Sequence, residues 1–544
     1  MNYTIHRRFT AFAAGICVLL ASLPGAHAEY YINESGDTVE SVQGAYAVGG
    51  SGESEILGDA PMYALTKDGV VLIGEPATPP SQPPVQANVP TMYVGLSFGG
   101  SEVSTATLTN SVGSGYRFGF YDANRVFYEV GATSETGLTM MKDKNITVSA
   151  GMVGCYHILL SATYNSFADA QAAASAYSDG FPAYYNGTYR VLIGSYETST
   201  SAANAVSSRG ISGQAYSASS KCVVVTKTGS TKILFEFDYG DTFSLAVRPV
   251  SSSGKAITSY GTRTYYGDFT FRRLSGDNMT VVNAISMDDY IKGVVPYEMS
   301  PSWPLEALKA QAICARTYAG ANMNKHRTYG FDTCNGVDCQ AYLGTGSANS
   351  NTNLAVDSTV NKFVTYNGAL CTTLYFSSDG GATEDNENIN VQPFPYLKGV
   401  VDPYEKDIEQ DYYGKSWSWN PTARDLKSVL TTKGYSIGDI VSVEPTHTRM
   451  NNMYSLKFTD TAGKSVTITK YQCVSVMNSM GIKILSVHYT LKRSETDPNQ
   501  YIIQGSGWGH NVGMSQWGAY SMAKYHNKTY EEIIKFYYTG VAVG

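Results

Sequence analysis

VVPYEMSPSWPLEALKAQAICARTY, residues Val294–Tyr318, sets one carboxylate beside an Ala-rich segment. Two turn-forming prolines, Pro301 and Pro304, separate Glu298 from a run in which Leu305, Leu308, Ala312, Ala315 and Ala319 recur at helical spacing along one face. The spacing predicts a buried helix with Ser302 as N-cap, Pro304 in the first turn and Glu306 near the positive end of the dipole. Six alanines between Ala307 and Ala321 keep that helix thin, so neighbouring backbone can pack closely, while Gln311, Cys314 and Tyr318 share a second face. Glu298 is expected on a loop between an apolar strand carrying Ile291, Val294 and Val295 and the helix. Partial desolvation there raises a carboxyl toward general-acid duty. Taken alone, the local pattern fits a capping or solvated glutamate better.

A chain of 544 residues exceeds one hydrophobic core, so two or three domains are expected. With 43% hydrophobic but only 16% charged residues, 53 glycines and 42 tyrosines, the balance is that of an exported β-rich protein. At the N-terminus, His6, Arg7 and Arg8 precede an apolar run from Phe9 to Leu23. Ala26-His27-Ala28 then offers a cleavage site, giving a signal peptide over 1–28 and a secreted or wall-associated product. Cys17 follows Ile16 where a lipoprotein site wants a small residue, and no later stretch reaches the ~20 apolar residues that span a bilayer. Losing Arg7 and Arg8 takes the formal charge from −7 to −9, which disfavours nucleic acid and anionic lipid as partners. Seven of the eight cysteines remain, too sparse to be the main staple of the fold.

Residues 29–90 form a polar region followed by EPATPPSQPPVQANVP (Glu75–Pro90), whose six prolines favour an extended spacer. Residues 91–150 read as strands separated by Gly, Asn and Ser clusters. CYHILLSATYNSFADAQAAASAY (Cys155–Tyr177) and TYRVLIGSYETSTSAANAVSSRG (Thr188–Gly210) then repeat one strand, aromatic turn and helix, with helices beginning near Ser166 and Ser199. KCVVVTK (Lys221–Lys227) closes the unit with a further strand. This segment, 151–227, resembles a SPOR domain, a βαβαβ module that binds glycan strands stripped of stem peptides. The resemblance implies glycan contacts on the exposed sheet face, with Tyr164, Tyr189 and Tyr196 as sugar-stacking candidates.

From Thr228 onward, further motifs follow the opening stretch in order: VVNAISMDDYIKG before it, then CQAY (Cys339–Tyr342), YNGALCTTLYFSSDGGATEDNENI (Tyr366–Ile389), PYLKGVVDPYE (Pro395–Glu405) and GWGHNVGMSQWGA (Gly507–Ala519). Together these resemble the SpoIID/LytB family of peptidoglycan proteins over 228–544, with 91–150 as a possible leading part. The fold expected is therefore multidomain α+β: a mixed, β-rich catalytic domain around a buried Ala-rich helix, plus the SPOR-like module. Sporulation-type members are lytic transglycosylases that cut between N-acetylmuramic acid and N-acetylglucosamine in denuded glycan, without water, leaving a 1,6-anhydro end. The glutamate of the family's P-x-E-M pattern is the acid/base and falls on Glu298, which reverses the local reading. One carboxylate suffices for such a reaction, whereas hydrolases usually need two.

The same resemblance implies a glycan-binding wall of Ser377, Ser378, Gly380, Gly381 and Thr383, with Gln311, Arg316 and Tyr318 on the helix and Ser515 and Gln516 in the last motif. Asp379 stands where a small polar residue is expected. His510 either supports Glu298 or binds sugar, and Asn511 replaces the family's glycine with a residue that tolerates left-handed backbone. Cys334 and Cys339 form either a disulfide or two ligands of a structural zinc. No cofactor is required by the chemistry. Residues 422–487 read as a supporting subdomain, and TYEEIIKFYYTGV as a helix docked on the core. A competing reading is a non-catalytic enhancer of a cell-wall amidase, which makes an amidase a candidate partner; another is a structural wall-binding protein.

Overall fold

The computed structural model describes residues 91–544 apart from 275–276, 337, 391 and 479–480, together with six short strands between 29 and 72. Residues 1–87 and 88–544 are separate units. In the first, Glu29–Ile32, Thr38–Ser41, Met62–Thr66 and Gly69–Leu72 form an antiparallel sheet, and Tyr46–Val48 pairs with Ser54–Ile56. The expected signal peptide and the Pro-rich spacer lie outside the described residues.

Two large sheets, of seven and ten strands, form the base of the larger unit, and five strands of 91–150 divide between them. A seven-stranded sheet runs in the order Phe127–Thr133, Gly115–Tyr121, Leu245–Val250, Asp268–Arg272, Thr280–Ile285, Met92–Ser97 and Thr333–Cys334. Thr280–Ile285 is buried at every position, as a central strand packed on both faces must be. In the second sheet, Gly137–Lys142 pairs with Thr105–Val112 on one side and with Val223–Lys227 on the other. Chain on both sides of the repeat therefore builds one body.

The repeat folds as strand Tyr156–Leu160, helix Phe167–Ala174, strands Gly180–Tyr185 and Thr188–Tyr196, helix Ser199–Ser208 and strand Gly213–Tyr216. Strand order 213–216, 156–160, 188–196, 180–185 gives two interlocked βαβ units of the ferredoxin-like kind. Ser166 and Thr198 cap the two helices by accepting from Asp169 and Ser201 N–H. Two expectations change here. Each half has a second strand, and Val223–Lys227 is a strand of the body, while Gly180–Tyr185 joins the body through a parallel pairing with Ile233–Asp238.

The sheet of the repeat has no open face. On one side Ile158, Val191 and Ile193 pack under Ala170, Ala174 and Ala205 of the helices, and Tyr164, Tyr189 and Tyr196 lie half-buried against that same cluster. On the other, Leu159, Phe181 and Leu192 pack against Met141, Val153, Val224 and Ile233 of the body. The Tyr196 hydroxyl accepts from Arg209 Nη1 (3.0 Å), and Tyr189 stacks at 4.8 Å on Tyr184. These tyrosines serve the packing of the repeat and do not line a free sheet face.

The segment before Glu298 is helical, not a strand. Ser286 caps Met287–Lys292, and a one-turn helix Val295–Glu298 follows Gly293. Ile291, Val294 and Val295 are all buried on the inner side of this turn. The helix Leu305–Ala321 then buries 12 of its 17 residues, so it is enclosed rather than amphipathic. Its N-cap is Pro304, without a side-chain cap; Ser302, expected there, bonds Ser300 instead (2.9 Å). Tyr530–Tyr537 docks on the same core through Ile533, Ile534 and Tyr537, and Tyr530 N–H donates to Glu306 (2.9 Å). Farther along, a three-stranded sheet, Ile440–His447, Met453–Asp460 and Ser465–Thr469, lies with the helix Ala423–Thr432.

Candidate functional site

Glu298 closes the one-turn helix and is half-buried, so one side remains open to solvent. Ala341 N–H donates to Oε1 (3.1 Å) and the Gln516 amide donates to Oε2 (3.4 Å). Gln516 also donates to Gln311 Oε1 (3.5 Å), which ties the buried helix to the last motif. Burial holds the Glu298 carboxyl above the ordinary glutamic acid value, against the pull of Ala341, Gln516 and Tyr375. A carboxyl that is protonated at higher pH than usual, yet has donors ready for its anion, is suited to give and retake a proton.

Beneath it, Tyr375 donates to Gln340 Oε1 (2.8 Å), and Gln340 donates to the Tyr290 hydroxyl (3.2 Å) and Ala315 O (3.3 Å). This fixes the CQAY segment that presents Ala341 N–H. His510 acts through the same strand. Its Nε2 pairs with Tyr375 O (3.1 Å) and its Nδ1 accepts Val512 N–H (3.1 Å), while burial lowers its pKa to about 4. A neutral ring with both nitrogens engaged by backbone is a positioning residue for the Tyr375 strand.

The glycine-rich loop is held from behind by Glu405. This buried carboxylate accepts from Ser378 Oγ (2.8 Å), Asp379 N–H (2.9 Å), Gly380 N–H (3.1 Å), Tyr412 OH (3.3 Å) and Ser515 Oγ. Ser378, Thr383 and Ser515 are fully buried, so they shape the loop and do not face a ligand; Thr383 Oγ1 accepts from Val400 N–H (2.9 Å). Ser377 is partly exposed, and its carbonyl accepts Trp517 N–H (2.9 Å). Gly380 has φ +74°, and a Cβ there would meet Ser506 backbone at 2.6 Å, so only glycine fits. Gly381 N–H donates to Asp379 Oδ1 (2.7 Å). Asn511 takes the left-handed backbone expected of it (φ 62°) and donates to Asp379 O (2.9 Å) and Ala382 O (3.2 Å). Asp379, whose role the sequence left open, is a buried acid beside Asp402 and Glu405; burial raises its pKa well above the usual range.

Arg316 is not brought to the site. Its guanidinium is buried against Asp288 (3.0 Å) and Val356 O (3.2 Å), pinning the central helix to Ser350–Asp357. Tyr318 is turned toward Cys334, Asp338 and Cys339. Those cysteines are unbridged, and His326 joins them: its Nε2 lies 3.2 Å from Cys339 Sγ and 3.4 Å from Asp338 Oδ2. Imidazole, two thiols and a carboxylate, within 4.8 Å of one another, are a donor set suited to zinc.

Sequence reasoning missed an aromatic cluster that includes Trp517, the neighbour in sequence of Gln516. Trp303 packs on Trp517 (4.7 Å) and Tyr520 (5.0 Å), and Tyr412 stacks on Trp517 at 4.4 Å. Near the glycine loop, Trp508 and Tyr413 meet edge to face at 4.5 Å and are 44% and 57% exposed, unusual for rings of this size. Trp508 and Trp517 sit inside GWGHNVGMSQWGA, where large rings among glycines were the available signal. Gln340, Ala341 and Glu405 lay inside quoted motifs without assigned roles.

The family profile described as SpoIID, stage II sporulation protein, matches residues 275–366, which hold Glu298, the central helix and Ala341. The chain is similar to stage II sporulation protein D of Bacillus subtilis, with 30% identity over 287 residues covering 49% of this chain and 76% of that protein. It is 37% identical over 282 residues to an uncharacterised protein of Brachyspira hyodysenteriae, covering 51% of this chain and 72% of the relative. It is also 34% identical over 292 residues to the amidase enhancer of Bacillus subtilis, but spans only 40% of that protein's length. Among the described residues no helix is long and apolar enough to cross a membrane.

Proposed function

This chain belongs to the SpoIID family of stage II sporulation proteins, and on that premise we propose that it is an exported peptidoglycan lytic transglycosylase acting on glycan strands that lack stem peptides. The observation that carries this reading is the half-buried Glu298 carboxyl, its pKa raised by desolvation and its two oxygens met by Ala341 and Gln516. Protonated Glu298 gives its proton to the glycosidic oxygen as the bond from muramyl C1 breaks, releasing the N-acetylglucosamine 4-hydroxyl. The Glu298 carboxylate, held by its two donors, then takes the proton of the muramyl 6-hydroxyl as O6 closes on C1. The product is a 1,6-anhydro ring, the acid is regenerated, and no water is consumed.

The buried acids Asp379, Asp402 and Glu405 shape the glycine-loop wall, and sugar rings stack on Trp508 and Tyr413. A structural zinc held by His326, Cys334, Asp338 and Cys339 would pin the segment that leads into Ala341. Similarity to an amidase enhancer favours a second reading, in which the chain binds glycan and assists an amidase without cutting. Digestion of amidase-stripped peptidoglycan separates the two. Wild type is expected to yield 1,6-anhydromuramyl ends and Glu298→Gln to lose about 100- to 10,000-fold in rate, the usual weight of a general acid. An equally active variant removes Glu298 from the mechanism, and an inactive wild type that still accelerates an amidase favours the enhancer.

A further inference from the structure

A second buried cluster lies where the repeat joins the body, away from the motifs that form the proposed active site. His157 falls two residues before Leu159, so it points from the repeat strand to the face packed on the body. Asp143 follows Met141 by two, and Glu236 opposes Val224 in the sheet register, so both approach from the body on the same packed face. All three side chains are buried, and their ligand atoms lie within 4.8 Å of one another.

The partners of these atoms are the informative part. His157 Nδ1 lies 2.7 Å from Gly194 O and must donate its proton there, which leaves Nε2 as a bare lone pair. That lone pair faces Glu236 Oε2 at 3.7 Å, and neither atom has a hydrogen-bond partner among the described residues; Asp143 Oδ1 has none among them either. Glu236 Oε1 accepts the weak Cys222 S–H (3.1 Å), and the buried Tyr185 hydroxyl stands close enough to favour the Glu236 anion. Arg273 and Lys144 act on Asp143 through their charge, and Arg273 Nη1 donates to Cys222 O (2.7 Å). Three acceptors with unmet atoms thus converge in the interior, an arrangement that is unfavourable unless a cation or added protons neutralise it.

We propose that His157 Nε2, Asp143 and Glu236 form a binding site for one divalent transition-metal ion of the zinc class, which clamps the repeat to the body of the protein. Zinc bonds of about 2.0–2.1 Å in tetrahedral geometry set ligand atoms about 3.4 Å apart, close to the His157–Glu236 spacing. The Nδ1–H to carbonyl bond is the outer-shell contact that orients a ligating imidazole. Cys222 Sγ lies 3.1 Å from Glu236 Oε1, at the edge of this group. One ion of charge +2 offsets both carboxylates. Burial raises the pKa of Glu236 to about 7 and that of Asp143 to about 8, because desolvation disfavours the anion.

The test is X-ray diffraction of the full chain crystallised with Zn²⁺, using anomalous differences across the zinc edge, together with zinc content by elemental analysis. The expected result is an anomalous peak between residues 143, 157 and 236, distinct from any at Cys334 and Cys339. His157→Gln should lose one equivalent of zinc, and its melting temperature should rise less than that of the wild type on adding Zn²⁺. No peak at that position overturns the proposal, and so does a folded His157→Gln protein with unchanged zinc content. If that variant does not fold, the wild-type anomalous map alone decides.

Discussion

Glu298, half-buried, and Glu236, fully buried, are carboxylates of the same unit and both have raised pKa values, yet their neighbours differ in kind. Glu298 meets donors, a backbone N–H and an amide, on a side that opens to solvent. Glu236 is closed in, with a thiol on one oxygen and another acceptor across from the second. Burial alone says only that the anion is disfavoured; the neighbours say what relieves it. Donors at a solvent edge make a site that exchanges a proton, and facing acceptors in an apolar interior make a site for a cation.

Crossing the two variants gives the sharpest contrast. Glu298→Gln should lose about 100- to 10,000-fold in glycan cleavage and keep its zinc content, while Glu236→Gln should lose one equivalent of zinc and keep its cleavage. Assays of both properties on both proteins break the comparison if either variant fails in both. Next in size, Glu405→Ala strands the buried donors of Ser378, Asp379, Gly380 and Ser515. It should lower stability by about 3 kcal/mol, since each orphaned donor costs about 1–3 kcal/mol and relief of repulsion from Asp379 and Asp402 returns part; thermal denaturation reads this.

Trp508→Ala, which removes an exposed ring, should raise KM about 3- to 10-fold with kcat and melting temperature unchanged, as loss of one stacking contact predicts. The smallest effect concerns pH. Glu298 must be protonated to act as the acid, so the rate falls as pH rises through its pKa, which lies above the ordinary glutamic acid value of about 4.3. Gln516 favours the anion, so Gln516→Ala should move that alkaline limb to higher pH, by less than about one unit. A shift to lower pH contradicts the role given to Gln516.

What the sequence disclosed follows from how local each signal is. The buried helix was legible because leucine and alanine spacing fixes a helix face, and the Asn511 backbone because few residues adopt it. The helix start was misplaced, since both Ser302 and Pro304 fit N-terminal rules and only the turn through Ser300 decides between them. Ile291, Val294 and Val295 suggested a strand because two short helices bury the same residues a strand would. Arg316 was expected at the ligand because spacing along a helix does not reveal that Asp288 and Val356 take the guanidinium.

The closed sheet of the repeat and the cluster at its base depend on long-range pairing. His157 and Glu236 are 79 residues apart, and no local pattern joins them. Glu405 was equally hidden, its donors coming from loops more than 20 residues before it and 110 residues after it.

The central claim is that one carboxylate cuts the glycan without water, and digestion of amidase-stripped peptidoglycan in ¹⁸O-labelled water tests it most directly. Mass spectrometry of the new muramyl ends should show the 1,6-anhydro product, one water lighter than a reducing sugar and free of label. Reducing muramyl ends carrying ¹⁸O would mean that water attacks C1, and the account of a lone Glu298 would then be wrong.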